Sequence, residues 1–192
     1  MNDRIIEIKL GYRDAFIVAA LAFLMLLMSI FQYSLMEFPK VSEFEVELLS
    51  LLLITLLISL VHEAIHLIVF RALGVRVLKV KVVRFKVVPL ALMVIYDEAT
   101  ITQYIVVALS PQILTVILLA SALISSFNVD LLLYRGPLRL FLYILYTLHL
   151  AVSSGDFYGI ALTLARAKTI SGKIKTVVRN GRIDKFIIER LD

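Results

Sequence analysis

Long apolar runs dominate the chain and predict four helices that cross a membrane. A spanning helix needs about 20 apolar residues, and runs of that length cover residues 15–36, 46–73, 103–127 and 137–165. The third run contains Pro111, which a membrane helix tolerates where neighbouring groups satisfy the freed carbonyl. The pattern predicts an all-α membrane protein in which residues 1–192 form a single domain built on a four-helix bundle.

Two shorter segments alternate in the manner of β-strands. Residues 75–96 alternate apolar and basic side chains, and the phase slips near Val77–Leu78 and Val82–Val83, which predicts strands interrupted by a bulge or turn. Residues 173–190 alternate around Asn180-Gly181, a signal for a β-hairpin with a type I′ turn. We therefore expect a small β-sheet and hairpin at the cytoplasmic surface, either anchoring the protein to lipid or presenting an edge to an extended substrate.

Composition places the chain in a membrane and narrows the metal chemistry open to it. Hydrophobic residues make up 61% of the sequence and charged residues only 18%, against about 25% charged in soluble domains, and the mean hydropathy is +0.96. The chain has no cysteine, which excludes disulfides and thiolate ligands. Any bound metal must therefore use histidine and carboxylate ligands.

The distribution of basic residues predicts the orientation in the membrane. Segments 1–14, 71–98 and 166–192 carry 3, 6 and 8 basic residues, whereas loops 37–45 and 127–139 carry 1 and 2. By the positive-inside rule, both termini face the cytoplasm, and we expect the cell (plasma) membrane as the location. The net charge of +5 indicates contact with anionic lipid. The sequence has no basic stripe interleaved with aromatic residues, so we do not expect nucleic acid as a partner.

The three histidines of the chain all lie within predicted spans. His62 and His66 belong to the sequence HEAIH, in which Glu63 follows the first histidine, and His149 lies in the fourth run. Positions i and i+4 of a helix share a face, so both motif histidines can bind one zinc ion. Glu63 then lies beside the metal, where a carboxylate can take a proton from water. Ionisable residues within a membrane are costly and point to function.

A third ligand is expected from the fourth run. Asp156 is flanked by Gly155 and Gly159, which permit close approach of another backbone. At 1.5 Å per residue, Asp156 lies about 15 Å before Arg166 along its helix, and His62 and His66 lie about 14 and 8 Å before Arg71. The three side chains are therefore expected at a similar depth in the membrane. Ser110-Pro111 of the third run falls in the same layer. A carboxylate paired with another polar group, or facing the lipid headgroups, is the alternative for Asp156.

Other polar residues are candidates for supporting roles around the metal. His149 precedes Asp156 by two helical turns on the same face, and it is an alternative ligand, a partner of a ligand, a proton relay or a hydrogen-bonded interface histidine. Ser110 and Ser154 are further candidates for hydrogen bonds around the site. A polar cluster that joins the helices without any metal is the alternative for the whole group.

Three short stretches of the sequence resemble motifs of the membrane-embedded zincin peptidases. HEAIH, the Ser-Pro in ALSPQIL and the Gly-Asp in SSGDFYG, within about residues 50–165, are most similar to the "Putative zincin peptidase" family and more distantly to the site-2 proteases. The resemblance implies that His62, His66 and Asp156 bind one zinc ion and that Glu63 is the general base. It also implies that a surface sheet holds the substrate as an extended strand.

The chain departs from the site-2 protease pattern before the aspartate. Those enzymes usually carry an Asn and Pro pattern there, with an oxyanion-stabilising asparagine, where this chain has Ala151-Val152-Ser153-Ser154. The expected function is nevertheless an intramembrane zinc metalloprotease that hydrolyses transmembrane or membrane-proximal polypeptides. A non-enzymatic metal-ion carrier, an interaction scaffold and an inactive protease are the alternatives. Other divalent ions also accept two histidines and one carboxylate.

Overall fold

The computed structural model describes residues 5–35, 48–85, 88–124, 135–179 and 182–190. Six helices are present in these ranges: α1 Tyr12–Leu35, α2 Leu48–Ala72, α3 Ile101–Leu109, α4 Gln112–Ile124, α5 Arg135–Val152 and α6 Ser154–Ala167. The strands are β1 Ile5–Ile8, β2 Val77–Phe85, β3 Val88–Tyr96, β4 Glu98–Thr100, β5 Gly172–Arg179 and β6 Arg182–Arg190.

Four helical segments are long and apolar enough to cross a membrane, which confirms the predicted bundle. They are Tyr12–Leu35, Ser50–Ala72, Ile101–Ile124 and Leu138–Ala167, with mean hydropathies of 2.4, 2.2, 2.2 and 1.3. Large apolar side chains of α1, such as Phe16, remain exposed. A surface of this kind is stable against lipid chains and not against water. The chain is therefore a membrane protein.

Two of the four segments are broken where the sequence predicted continuous helices. Pro111 separates α3 from α4, because proline has no N–H and its ring clashes with the preceding turn. The Ser110 N–H then closes a tight turn on the Val107 carbonyl at 3.1 Å. Ser153 separates α5 from α6, and its hydroxyl donates to the His149 carbonyl at 2.9 Å. A serine side chain that bonds its own backbone in this way commonly bends a helix.

The strands form a four-stranded antiparallel sheet in the order β1-β6-β5-β4 and a separate β2–β3 hairpin. The β5–β6 pairing confirms the hairpin predicted from residues 173–190, although its Asn180-Gly181 turn lies outside the described residues. Register shifts in the β2–β3 ladder fall between Val77 and Lys79 and between Val83 and Arg84, close to the predicted slips in phase. The C-terminal hairpin β5–β6 is therefore enlarged into a sheet by β1 and β4, whereas β2 and β3 pair only with each other.

The four-stranded sheet packs against the ends of the helices. Buried Ile174 and Ile188 of the sheet belong to one apolar cluster with Phe70 of α2, Ile101 of α3 and Ala167 of α6. The apolar faces of the alternating strands account for this contact. The sheet therefore closes one end of the bundle, next to the part of α2 that carries the HEAIH motif.

Candidate metal centre

The HEAIH motif lies on α2 with both histidines turned to the interior of the bundle. His62 and His66 are 2% and 7% exposed, and their rings meet edge to face with centroids 4.7 Å apart. The two Nε2 atoms are 3.1 Å apart. This is the arrangement that i, i+4 spacing produces on one helical face.

Asp156 approaches the same two nitrogens from α6. One carboxylate oxygen, Oδ2, lies 3.0 Å from Nε2 of His62, and the other, Oδ1, lies 3.3 Å from Nε2 of His66. The break at Ser153 begins a new helix, so Asp156 falls in its first turn, where the helix dipole favours a negative charge. The structure thus brings together the three residues that the sequence selected as ligands.

The Val107 carbonyl fixes the proton of His66. Nδ1 of His66 lies 2.9 Å from this oxygen, and because a carbonyl only accepts, Nδ1 must carry a hydrogen. In the neutral imidazole Nε2 then carries the lone pair. In a continuous helix the N–H of residue 111 would occupy the Val107 carbonyl, but Pro111 has no N–H. The Ser110 hydroxyl also donates to this oxygen at 2.7 Å. The Ser-Pro break therefore removes the ordinary helical donor to this carbonyl, and His66 bonds it beside the N–H and hydroxyl of Ser110.

His149 lies behind His62, away from the carboxylate. It is completely buried, and its Nε2 is 3.2 Å from Nδ1 of His62. Its other nitrogen, Nδ1, is 2.8 Å from the hydroxyl of Thr115 on α4. His149 therefore contacts a ligand candidate and is not a member of the three-residue cluster. Ser154 is buried at the start of α6, two residues before Asp156.

The cluster fits a tetrahedrally bound divalent cation. Bonds of about 2.0 to 2.1 Å to zinc place two tetrahedral ligands roughly 3.3 Å apart. The two Nε2 atoms are 3.1 Å apart, and the Nε2 atoms of His62 and His66 lie 3.0 and 3.3 Å from different oxygens of Asp156. Within the described ranges, Oδ2 of Asp156 is buried and its contact with Nε2 of His62 is an ion pair without hydrogen-bond geometry. Two imidazoles and one carboxylate form a common ligand set for catalytic zinc.

Glu63 is half-buried and faces a cavity of about 880 Å³ that also reaches His66 and Asp156. Tyr96 and Tyr104 form an aromatic part of its wall, with ring centroids 6.2 Å apart. Burial raises the pKa of the Tyr96 phenol well above its ordinary value of 10, so this group stays protonated. The remaining wall is largely apolar and comes from α1, α6 and the sheet: Ile8, Ala15, Val18, Ala19, Leu162 and Ile188.

Several residues around the site were not selected from the sequence. Thr115 and Gln112, on the first turn of α4, connect to His149. The phenol of Tyr158 on α6 donates to Asp14 of α1, which ties α1 to the edge of the cavity. The Ser-Pro dipeptide is the local signal for the contact between the Val107 carbonyl and His66, because proline has no N–H to donate to the carbonyl four residues before it. The other residues gave no local signal because their partners are distant in sequence.

Two buried histidines and a half-buried aspartate, within the described residues, form a cluster that could hold a metal ion beside the cavity that Glu63 faces. The model of the family described as "Putative zincin peptidase" matches residues 54–171. The chain belongs to this family, whose description points to a zinc metallopeptidase. No curated protein and no solved structure matches the chain.

Proposed function

We propose that the protein is an intramembrane zinc metalloprotease. The observation that carries the proposal is the convergence of the two histidine Nε2 atoms and the two carboxylate oxygens of Asp156, in contacts of 3.0 to 3.3 Å, beside a cavity that Glu63 also faces. The hydrogen bond from His66 to Val107 leaves a lone pair on the His66 nitrogen that faces Asp156. A cation between these atoms offsets the cost of burying them within spanning helices.

The roles of the residues follow from their positions. His62, His66 and Asp156 hold the metal, and zinc bound there supplies a water of pKa about 7 and polarisation of the scissile carbonyl. Glu63 accepts a proton from the attacking water and returns it to the leaving amine, so that the peptide bond is replaced by a carboxylic acid and an amine. His149, Ser110 and Ser154 support the centre without contacting the substrate.

The substrate proposed is a transmembrane or membrane-proximal polypeptide. The cavity wall is mostly apolar and includes α1, a helix whose outer face is exposed as lipid-facing helices are. Strands β1, β5 and β6 each contribute a side chain to the same cavity: Ile8, Ile174 and Phe186. An extended polypeptide pairing with strand edges is a recurrent mode of recognition. This setting supports site-2-like cleavage, with a different source of oxyanion stabilisation because the expected asparagine is absent.

Metal analysis and proteolysis of the purified protein test the proposal. We expect about one zinc ion per wild-type chain, and loss of zinc in His66→Ala and in Asp156→Ala. Glu63→Gln should retain zinc and lose hydrolysis of a mixture of quenched fluorescent peptides by about 10²- to 10⁴-fold. Glu98→Gln is the matched control, since Glu98 lies on β4 and pairs with Lys173; it should hydrolyse the peptides at the wild-type rate.

Two outcomes would contradict the proposal in different ways. Equal metal content in wild type and both ligand variants would show that His66 and Asp156 do not bind the metal. If zinc binding depends on the ligands but Glu63→Gln hydrolyses the peptides as fast as wild type, Glu63 is not the general base. A metal-ion carrier or an interaction scaffold would then be the remaining functions.

A further inference from the structure

We propose that Thr115 and Gln112 position the metal ligand His62 by acting through His149. These two residues lie three positions apart in the first turn of α4, on the opposite side of His62 from Asp156. The inference rests on the proposed metal centre and adds a set of residues that determines which nitrogen of His62 carries a proton. Neither Thr115 nor Gln112 contacts the candidate metal site directly.

The contacts form one unbranched chain of hydrogen bonds. The Thr115 hydroxyl donates to Oε1 of Gln112 at 2.9 Å. The same hydroxyl oxygen lies 2.8 Å from Nδ1 of His149, and Nε2 of His149 lies 3.2 Å from Nδ1 of His62. Nε2 of His62 then faces Asp156 at 3.0 Å. The chain thus runs from α4 through α5 to the ligand on α2.

The chemistry of each group sets the direction of the hydrogens. An amide oxygen only accepts, so the single hydroxyl hydrogen of Thr115 is directed to Gln112. The hydroxyl oxygen therefore accepts from His149, whose hydrogen lies on Nδ1 and whose Nε2 keeps a lone pair. That lone pair accepts the Nδ1 hydrogen of His62, which leaves Nε2 of His62 free to bind a cation.

Binding of a cation at His62 selects this direction. The reverse orientation of the Gln112 amide would reverse each hydrogen in the chain and place one on Nε2 of His62. In the observed orientation Oε1 of Gln112 faces the Thr115 hydroxyl, and within the described ranges Nε2 of Gln112 is buried without an acceptor. His149 is 0% exposed, so its two nitrogens are shielded from bulk solvent.

The Ser-Pro break between α3 and α4 serves both histidines. Pro111 frees the Val107 carbonyl that accepts from His66, and the helix that begins immediately afterwards supplies Gln112 and Thr115 for His62. Both motif histidines are thereby held with Nδ1 protonated and Nε2 free, through separate contacts. Partners of metal-bound histidines of this kind typically change metal affinity by about 10- to 100-fold when removed.

Zinc affinity of the metal-free protein, measured in detergent by competition with a chelating dye, tests the proposal without requiring peptidase activity. Thr115→Val keeps the shape of the side chain and removes the hydroxyl, and we expect zinc affinity to fall by about 10- to 100-fold. Thr115→Ser restores the hydroxyl and should restore affinity to within about 3-fold of wild type. Thr55→Val is the matched control, because the Thr55 hydroxyl donates to the Leu51 carbonyl of its own helix.

A second pair of variants tests the middle of the chain. In His149→Gln the amide oxygen reaches the position of Nε2 and can accept from His62, whereas His149→Leu offers no acceptor. We expect the glutamine variant to bind zinc at least 10-fold more tightly than the leucine variant. A folded leucine variant with the affinity of the glutamine variant would contradict the proposal.

The failure of this inference is distinguishable from the failure of the metal centre. If wild type binds zinc, His66→Ala does not, and Thr115→Val binds as tightly as Thr55→Val, the positioning chain is wrong and the metal centre stands. If wild type and His66→Ala bind zinc equally, the metal centre itself is wrong.

Discussion

Gly155 and Gly159 lie one helical turn apart on α6 and meet different surroundings. A Cβ atom added at Gly159 would collide with the hydroxyl of Tyr104, whereas one added at Gly155 would meet nothing within 4 Å. Of the two glycines that flank Asp156, the second alone therefore permits a close approach, that of a phenol from α3. This contact fixes Tyr104 in the wall of the cavity.

Alanine substitution of the two glycines should separate packing from helix propensity. Gly159→Ala forces the Tyr104 ring to move, and overpacking of this kind costs about 1–3 kcal/mol, which thermal unfolding in detergent would report as a lower midpoint. Gly155→Ala, the same change in the same helix, should leave the midpoint equal or higher, because alanine favours a helix over glycine. Equal destabilisation by both changes would contradict the packing argument.

The residues of the site were accessible from the sequence to different degrees. The geometry of His62 and His66 follows from their spacing on one helix, so the motif alone predicts it. Asp156 required a comparison of depths between two spans, which works because membrane thickness gives every span a common scale. Thr115 carries no signal of its own, since a threonine in an apolar helix normally bonds its own backbone, and only the fold places it beside His149.

The strands at the two edges of the four-stranded sheet are each held by an ion pair. Glu7 of β1 pairs with Lys185 of β6, and Glu98 of β4 pairs with Lys173 of β5 at 2.6 Å. The hydrogen bond and charge of Lys185 hold the pKa of Glu7 below its ordinary value of 4.5, and Lys173 does the same for Glu98. Edge strands of three or four residues have few backbone pairings, so these contacts matter most there.

The edge strands should loosen in acid before the central hairpin does. A lowered pKa in the folded state adds stability above pH 4.5 that is lost as the pH falls through the folded value. The protection factors of the amide hydrogens in β1 and β4 should therefore fall below about pH 4.5, while the main β5–β6 pairing stays protected. Lys185→Met should abolish the acid response of β1 and leave that of β4. An equal fall in protection in all strands would contradict this assignment.

At the scale of elements, the sequence predicted the long apolar helices and the strong hairpin but not the breaks or the short strands. Helix length follows from hydrophobic periodicity, and the β5–β6 ladder from alternation around a turn signal. β1 and β4 are too short for any period to emerge, and they pair with the two edges that the hairpin offers. The break at Ser153 depends on one side-chain hydrogen bond, which the sequence alone does not reveal.

At the scale of the whole molecule, the four-stranded sheet joins three distant parts of the chain. β1 precedes α1, β4 lies between α2 and α3, and β5 and β6 follow α6. Because strands of one sheet must lie on the same side of a membrane, both ends of the described chain and the α2–α3 connection share a side. Four crossings, an even number, are consistent with this arrangement. The basic residues of these segments predict that the shared side is the cytoplasm.

Cysteine labelling in intact cells tests this orientation cleanly, because the chain has no cysteine of its own. Lys9→Cys and Lys175→Cys place a thiol at exposed positions beside β1 and on β5. Both should react with a membrane-impermeant maleimide only after the cells are permeabilised. Lys40→Cys, in the loop that the charge pattern assigns to the outside, should react in intact cells. Unequal labelling at positions 9 and 175 would contradict an even number of crossings, whereas labelling of both in intact cells would reverse the orientation and leave the fold unchanged.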